Sequence, residues 1–259
     1  MIPALVEYDL NLFRKYLKKS INYFEFGSGG STYEAYKQLN IEKIFSVESS
    51  FEWIEIIVKK LNCNSYQINE NDFLSQKLNF FFTEFNTKIG HLGIPLFNKK
   101  DEVKFLLGTK NEKINSINVE EDKIFTGIII DIMEKSPFNN LIEYKDENDN
   151  LIKTWIHPKL IRTQNDKIIT EFNKYSNSIT KLNKSINIDL ILIDGRFRVM
   201  CALKSLQVID DNCVVLIDDF FNRNAYHILL DYYDIIEKGT RMVALKKKKN
   251  IIISEDIFK

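Results

Sequence analysis

Three aspartates stand at the ends of two apolar runs. In "DLILIDGRFRV" Asp194 follows Ile193, and in "CVVLIDDFF" Asp218 and Asp219 follow Ile217. Clustered carboxylates repel unless a positive charge joins them, and an all-oxygen set suits a hard divalent ion such as Mg2+. Such an ion would orient a substrate hydroxyl and lower its pKa. Asp194, Asp218 and Asp219 are therefore candidate metal ligands, and Asp194 and Asp219 are also candidate catalytic residues. Two of the acids have a plainer reading too: Asp194 as a cap before Gly195, Asp218 as a strand-end residue bonded to the next helix. Arg196 and Arg198 can pair with these acids or with an anionic substrate. His227, on the segment after Asp219, is a candidate general base because imidazole titrates near neutrality; simple packing on a helix is the competing account.

A second cluster lies near the start. "YFEFGSGGST" (23–32) gathers Gly27, Gly29 and Gly30 in a chain that has only 9 glycines among 259 residues. Bare backbone at the turn from a strand into a helix lets a ligand approach the main chain, and a helix start attracts a carboxylate or phosphate. Glu25, Gly27, Ser28, Gly29, Gly30, Ser31 and Thr32 are the candidate ligand-binding residues here. Thr32 stands where the dinucleotide fingerprint G-x-G-x-x-G requires its third glycine, so a nicotinamide cofactor is disfavoured. No Gly-Lys-Ser/Thr follows, so the loop is not a P-loop. Glu48, with Ser49 after it, ends the next apolar run, where an acid can accept the hydroxyl hydrogens of a ribose.

These residues need a scaffold that brings strand ends together. "INYFEF" (21–26), a helical stretch from Ser31 to Leu39, "KIFSVE" (43–48) and "SFEWIEIIVKKL" (50–61) form a β-α-β-α rhythm. It returns at "NIDLILID" (187–194), a helix through "FRVMCALKSL", "CVVLIDD" (213–219) and a helix from Asn224 to about Ile236. Buried-looking strands alternating with helices predict a parallel sheet covered on both faces. "TRMVALKKKKNIIISE" reads as an antiparallel hairpin turning across its lysines. Between the halves, residues 98–158 look like an insertion in one domain spanning 1–259, with "GIIIDIM" as a strand and "IEYKDENDNLIKTW" as a hairpin. A segment of this kind suits a lid over a substrate.

Composition narrows the classes. The 36 basic and 36 acidic side chains cancel, so no global field draws the chain to nucleic acid or a membrane, and the lysine run reads as a solvated turn. No apolar run approaches the roughly 18 residues a membrane span needs. Cys63, Cys201 and Cys213 sit in apolar surroundings and read as reduced core thiols. With no secretory leader legible after Met1, a cytoplasmic location is expected.

The glycine turn and "FSVESS" resemble the cofactor motifs of class I S-adenosylmethionine-dependent methyltransferases. "KIGHLGIP" (88–95), "DLILIDGRFRVMCAL" (189–203), "VVLIDDFFNRNAYHILLDYY" (214–233) and "GTRMVAL" (239–245) are similar in order and spacing to a little-characterised methyltransferase-like group. That resemblance implies a Rossmann-like α/β fold: a seven-stranded, mostly parallel sheet with a C-terminal antiparallel hairpin. It further implies that S-adenosyl-L-methionine lies across the glycine turn, its carboxylate on N–H groups near Gly27 to Gly29 and its ribose on Glu48. The acid trio resembles the magnesium site of macrocin-type sugar O-methyltransferases, which implies a sugar or glycan hydroxyl as acceptor. Arg196 stands where those enzymes commonly carry a second acid. A metal-independent N- or O-methyltransferase, an NAD-dependent sugar-modifying enzyme and a non-catalytic nucleoside-binding module are the alternatives.

Overall fold

The structure, a computed structural model, describes residues 1–69, 75–84, 99–100, 102–111, 116–132, 140–156, 161, 173–182, 186–249 and 251. The chain divides into two compact units, Met1–Glu84 with Phe172–Lys259, and Phe85–Glu171. The second is wider at both ends than the segment 98–158 suggested by the loss of periodicity.

The first unit holds an eight-stranded sheet. Its strands are β1 (Asn22–Phe26), β2 (Lys43–Glu48), β3 (Tyr66–Ile68), β4 (Leu78–Phe82), β9 (Leu190–Ile193), β10 (Val214–Ile217), β11 (Tyr233–Lys238) and β12 (Val243–Lys247). Their spatial order is β11-β12-β10-β9-β1-β2-β4-β3. Only β12 runs against its neighbours. All four residues of β9 and of β10 are buried, as a sheet covered on both faces demands. The covering helices follow their sequence periodicity. In α1 (Glu7–Leu17) Leu10, Phe13 and Leu17 turn inward, and in α3 (Phe51–Leu61) Ile54, Ile57 and Leu61 do so. Ser50 caps α3 by accepting the Trp53 N–H at 3.2 Å, and Asn62 ends it in the left-handed region at φ 49°. Two shorter helices, α2 (Gly30–Lys37) and α4 (Arg198–Ser205), follow β1 and β9.

Three expectations are corrected. The sheet has eight strands rather than seven, because the short β3 adds a parallel edge outside β4. The helix expected over 224–236 is a 3-10 helix, Asn224–Asp231, followed at once by β11. Tyr233 is buried and its hydroxyl donates to the Ala202 carbonyl at 2.7 Å, anchoring the segment as a strand. The closing hairpin is therefore β11–β12, and its turn lies at 239–242. There Asp9 of α1 accepts the N–H groups of Thr240 at 2.6 Å and Arg241 at 3.0 Å. Lys246 and Lys247 end β12 and Lys248 and Lys249 follow it, instead of forming the turn; the strand expected at "IIISE" lies outside the described residues apart from Ile251.

The second unit contains a four-stranded antiparallel sheet ordered β5 (Glu102–Asn111), β6 (Ser116–Ile132), β7 (Asn140–Lys145), β8 (Leu151–Ile156). "GIIIDIM" lies largely in β6, and "IEYKDENDNLIKTW" is the β7–β8 hairpin, its turn held by Asp146 accepting the Asn148 and Asn150 N–H groups. Val103, Phe105, Ile129, Ile142, Tyr144 and Ile156 form its buried core.

Candidate functional site

Strand order reverses at β1, with β2 on one side and β9 on the other. Crevices outside the carboxyl ends of strands at such a switch point are where open α/β sheets take ligands. The loop after β1 is the glycine turn, and the loop after β9 begins with Asp194. They touch: a Cβ on Gly27, whose φ is +98°, would meet Gly195 Cα at 2.8 Å. Only glycine allows both that conformation and that approach. A cavity of about 280 Å3 lies over the turn, walled by residues 1–5, 27–31, Trp53, Leu192 and Asp194.

The expected residues of the turn divide into two layers. Glu25 is fully buried and accepts hydrogen bonds from Ser31 at 2.6 Å, Ser46 at 2.7 Å, Tyr23 at 2.8 Å and Thr32. Burial pushes its pKa up, against the opposing effect of those hydroxyls. It holds the turn from beneath and has no surface left for a ligand, so the direct contact expected of Glu25 is corrected, and the hydroxyls of Ser31 and Thr32 belong to the same support. A second correction concerns the N–H groups expected to meet a carboxylate. Gly27 donates to the Val47 carbonyl at 3.0 Å, Ser28 to Glu48 Oε2 at 3.2 Å and Gly29 to Thr32 Oγ1 at 2.8 Å. The N–H groups of Gly30 and Ser31, first in α2, have no partner among the described residues, as the opening turn of a helix leaves them.

Glu48 sits where β2 ends and ties three segments. Its Oε1 accepts the N–H groups of Ser49 at 2.6 Å and Ser50 at 3.0 Å, and its Oε2 accepts, among the described residues, the Ser28 N–H alone. One lone pair of Oε2 stays available at this edge. Trp53, which periodicity alone assigns to an amphipathic helix, donates from Nε1 to the Ser28 carbonyl at 2.9 Å and walls the cavity. A tryptophan in the first turn of a helix, off its apolar face, was the available signal. Residues 1–5 gave none.

The three acids do gather at the carboxyl edge, and a guanidinium joins them. Arg198 Nη2 donates to the Asp194 carbonyl at 2.9 Å and to its Oδ1 at 3.2 Å. Nη1 donates to the Asp218 carbonyl at 2.5 Å and to Asp219 Oδ2 at 3.2 Å, and lies 3.6 Å from Asp218 Oδ2. The left-handed Phe197, φ 52°, opens α4 and places Arg198 in this position. Arg223 reaches Asp219 Oδ2 at 3.1 Å, and Arg241 lies 3.5 Å from both Asp218 Oδ2 and Asp219 Oδ1.

These residues do not fit a magnesium ion. Each of the three carboxylates that would ligate it already pairs with at least one of three arginines, whose charges would repel it. Among the described residues no group of three His, Cys, Asp or Glu side chains is disposed to hold a metal. The cation required between the acids is Arg198.

Asp194 differs from its neighbours in facing the cavity. Burial pushes its pKa up to about 7, with Arg198 opposing and Asp218 adding to the rise through its charge and as a hydrogen-bond acceptor for the protonated carboxyl. Asp218 Oδ1 is buried and has no donor among the described residues. His227 is exposed on the 3-10 helix, its ring packed at 5.1 Å from that of Phe220, and it makes no hydrogen bond or ion pair among the described residues. The structure thus gives it no link to the acids. The "KIGHLGIP" stretch (88–95) lies outside the described residues. Cys63, Cys201 and Cys213 are free and buried. No helix is long and apolar enough to cross a membrane among the described residues.

No family model matches the chain, and no curated protein matches it. Among solved structures, a methyltransferase-like protein from Silicibacter pomeroyi is similar over 96% of this chain and 90% of its own, with a TM-score of 0.59 and 17% identity. At that identity the likeness is one of fold: the chain has a methyltransferase-like α/β fold.

Proposed function

We propose that the chain transfers a methyl group from S-adenosylmethionine to an oxygen nucleophile, with Asp194 as the base. The observation that carries this reading is the placement of Asp194 on the wall of the cavity that covers the glycine turn. The methyltransferase-like fold supports it.

The residues present fit the cofactor. A Cβ on Gly29 would meet nothing within 4 Å, so the backbone there is open to a ligand. The free N–H groups of Gly30 and Ser31 suit its carboxylate, and Glu48 Oε2 suits a ribose hydroxyl. When bound, S-adenosylmethionine supplies an electrophilic methyl group on a positively charged sulfur. Asp194 accepts the proton of the acceptor hydroxyl; with a pKa of about 7 it is ionised in half the molecules at neutral pH, near the optimum for a general base. Arg198 holds that carboxylate in place and stabilises its ionised form. The strap of residues 1–5 restricts water over the turn. Alignment of nucleophile and methyl carbon supplies the rest.

No step runs through a metal. The expectation of a sugar or glycan rested on the magnesium pattern, so the acceptor assigned here is the broader class, a hydroxyl.

Calorimetry with S-adenosylhomocysteine tests the reading. Binding is expected, weakened about tenfold or more, some 1.4 kcal/mol, in Glu48→Ala. Absence of binding, or an affinity indifferent to that substitution, overturns it, as does a melting temperature raised by NAD instead.

A further inference from the structure

Arg241 has a guanidinium whose hydrogen-bonding capacity the described residues leave largely unused. Its guanidinium makes only the two 3.5 Å ion pairs and donates no side-chain hydrogen bond among the described residues. Its Nε is buried without an acceptor, while the side chain as a whole is 34% exposed. Buried donors are ordinarily satisfied, and each exception asks for a partner. Arg223, 53% exposed, stands beside it on Asp219 with its guanidinium 5.5 Å over the Tyr226 ring.

Sheet order says what lies in front of these arginines. From the glycine turn after β1, the edge runs through Asp194 after β9, then Asp218 and Asp219 after β10, to Arg241 immediately before β12. The cofactor side is β1 and β2. An acceptor whose hydroxyl meets Asp194 therefore extends toward β10 and β12, where Arg241 and Arg223 wait. Three guanidiniums face three acids there, so the acids do not outweigh the cations that an incoming anion would meet.

We infer that the acceptor carries an oxyanion, a carboxylate or a phosphate, which Arg241 and Arg223 clamp while its hydroxyl meets Asp194. Planar guanidiniums pair with both oxyanions through two parallel N–H groups, which fixes orientation as well as charge. The inference rests on the function proposed above, since that reading places the acceptor beside Asp194. Arg241 acts here as a binding residue and Arg198 as a positioning one.

The test uses the full chain labelled with 15N-arginine, with and without S-adenosylhomocysteine, and reads the Nε–H resonance of Arg241, assigned by its loss in Arg241→Lys. Inorganic phosphate and acetate are titrated against chloride at equal ionic strength. A saturable shift with either oxyanion, absent with chloride and weakened about tenfold in Arg223→Gln, is the expected result. A response to acetate alone assigns a carboxylate, and to phosphate alone a phosphate. No saturable response to either, or an affinity unchanged in Arg223→Gln, overturns the inference. Failure of S-adenosylhomocysteine to raise the melting temperature overturns the proposed function instead, and is read independently of the anion titration.

Discussion

Arg198 and Asp194 are joined twice, because one nitrogen, Nη2, donates to both the carbonyl oxygen and the carboxylate of the same residue. The pair fixes the first turn of α4 against the end of β9. It also sets the charge balance of the whole edge, since the same guanidinium contacts Asp219 and lies beside the 5%-exposed side chain of Asp218. Removing one partner of a buried ion pair leaves the other charge uncompensated. Arg198→Met is expected to cost about 3–5 kcal/mol in urea denaturation at pH 8. A loss below about 1 kcal/mol, the level of a surface pair, would show that the acids do not depend on it.

The pKa of Asp194 has a kinetic consequence. Below pH 7 the carboxyl is protonated and cannot accept a hydroxyl proton, so turnover should rise with pH to a plateau, with a midpoint near 7. Asp194→Asn should abolish that limb together with most of the rate. It has a stability consequence of opposite sign. The folded pKa lies above the ordinary 3.8, so the folded state holds its proton longer, and stability falls as pH rises from about 4 through 7. Asp194→Asn should flatten that part of the stability profile, which denaturation at pH 5 and pH 8 would show.

Because Arg198 supplies the cation between the acids, methyl transfer should be unchanged by EDTA and unaided by added Mg2+. An activity that requires magnesium would mean that the three arginines move away from the acids in the working enzyme.

The glycine turn and Glu48 were legible because their roles are local: a strand, a bare turn and a helix lie within 27 residues, from Asn22 to Glu48. The gathering of the acids was also legible, since parallel neighbours share one carboxyl edge. What joins the acids was not. Arg198 reaches them only because Phe197 adopts a left-handed conformation, and Arg241 arrives from a hairpin turn some 50 residues downstream of Asp194. That hairpin was itself misread. Leu229 and Tyr233, both buried, fit a helical face four residues apart, yet cross-strand pairing with β12 decides the state of Tyr233. The outward reading of Glu25 failed for a related reason: its four hydroxyl partners come from β1 itself, from α2 and from the neighbouring β2, and only their convergence shows that it faces inward.

Glu25 should therefore matter to stability rather than to the ligand. Glu25→Gln replaces two acceptor oxygens with one and sets an amide NH2 against hydroxyls that must reorient. A loss of about 1–3 kcal/mol is expected by denaturation. Affinity for S-adenosylhomocysteine, measured below the unfolding transition, should change less than it does in Glu48→Ala.

The neighbouring glycines provide a sharper contrast. At Gly30 a Cβ would strike the backbone of Ile2 and Pro3, and neither atom belongs to a side chain that can rotate away. Gly30→Ala must therefore lift residues 1–5 from the turn, opening the cavity at a cost of about 1–3 kcal/mol in the manner of an overpacked contact. At Gly29 a Cβ meets nothing within 4 Å, and its φ of 173° is extended backbone that any residue adopts. Gly29→Ala should leave stability nearly unchanged while placing a methyl group where the ligand approaches. The two variants thus separate the strap from the cradle. Gly30→Ala should lower the melting temperature of the free protein and expose the N-terminal segment to limited proteolysis, whereas Gly29→Ala should do neither yet diminish the rise in melting temperature produced by S-adenosylhomocysteine. If Gly29→Ala binds as the parent does, the ligand does not lie against that backbone, and the cavity serves another purpose.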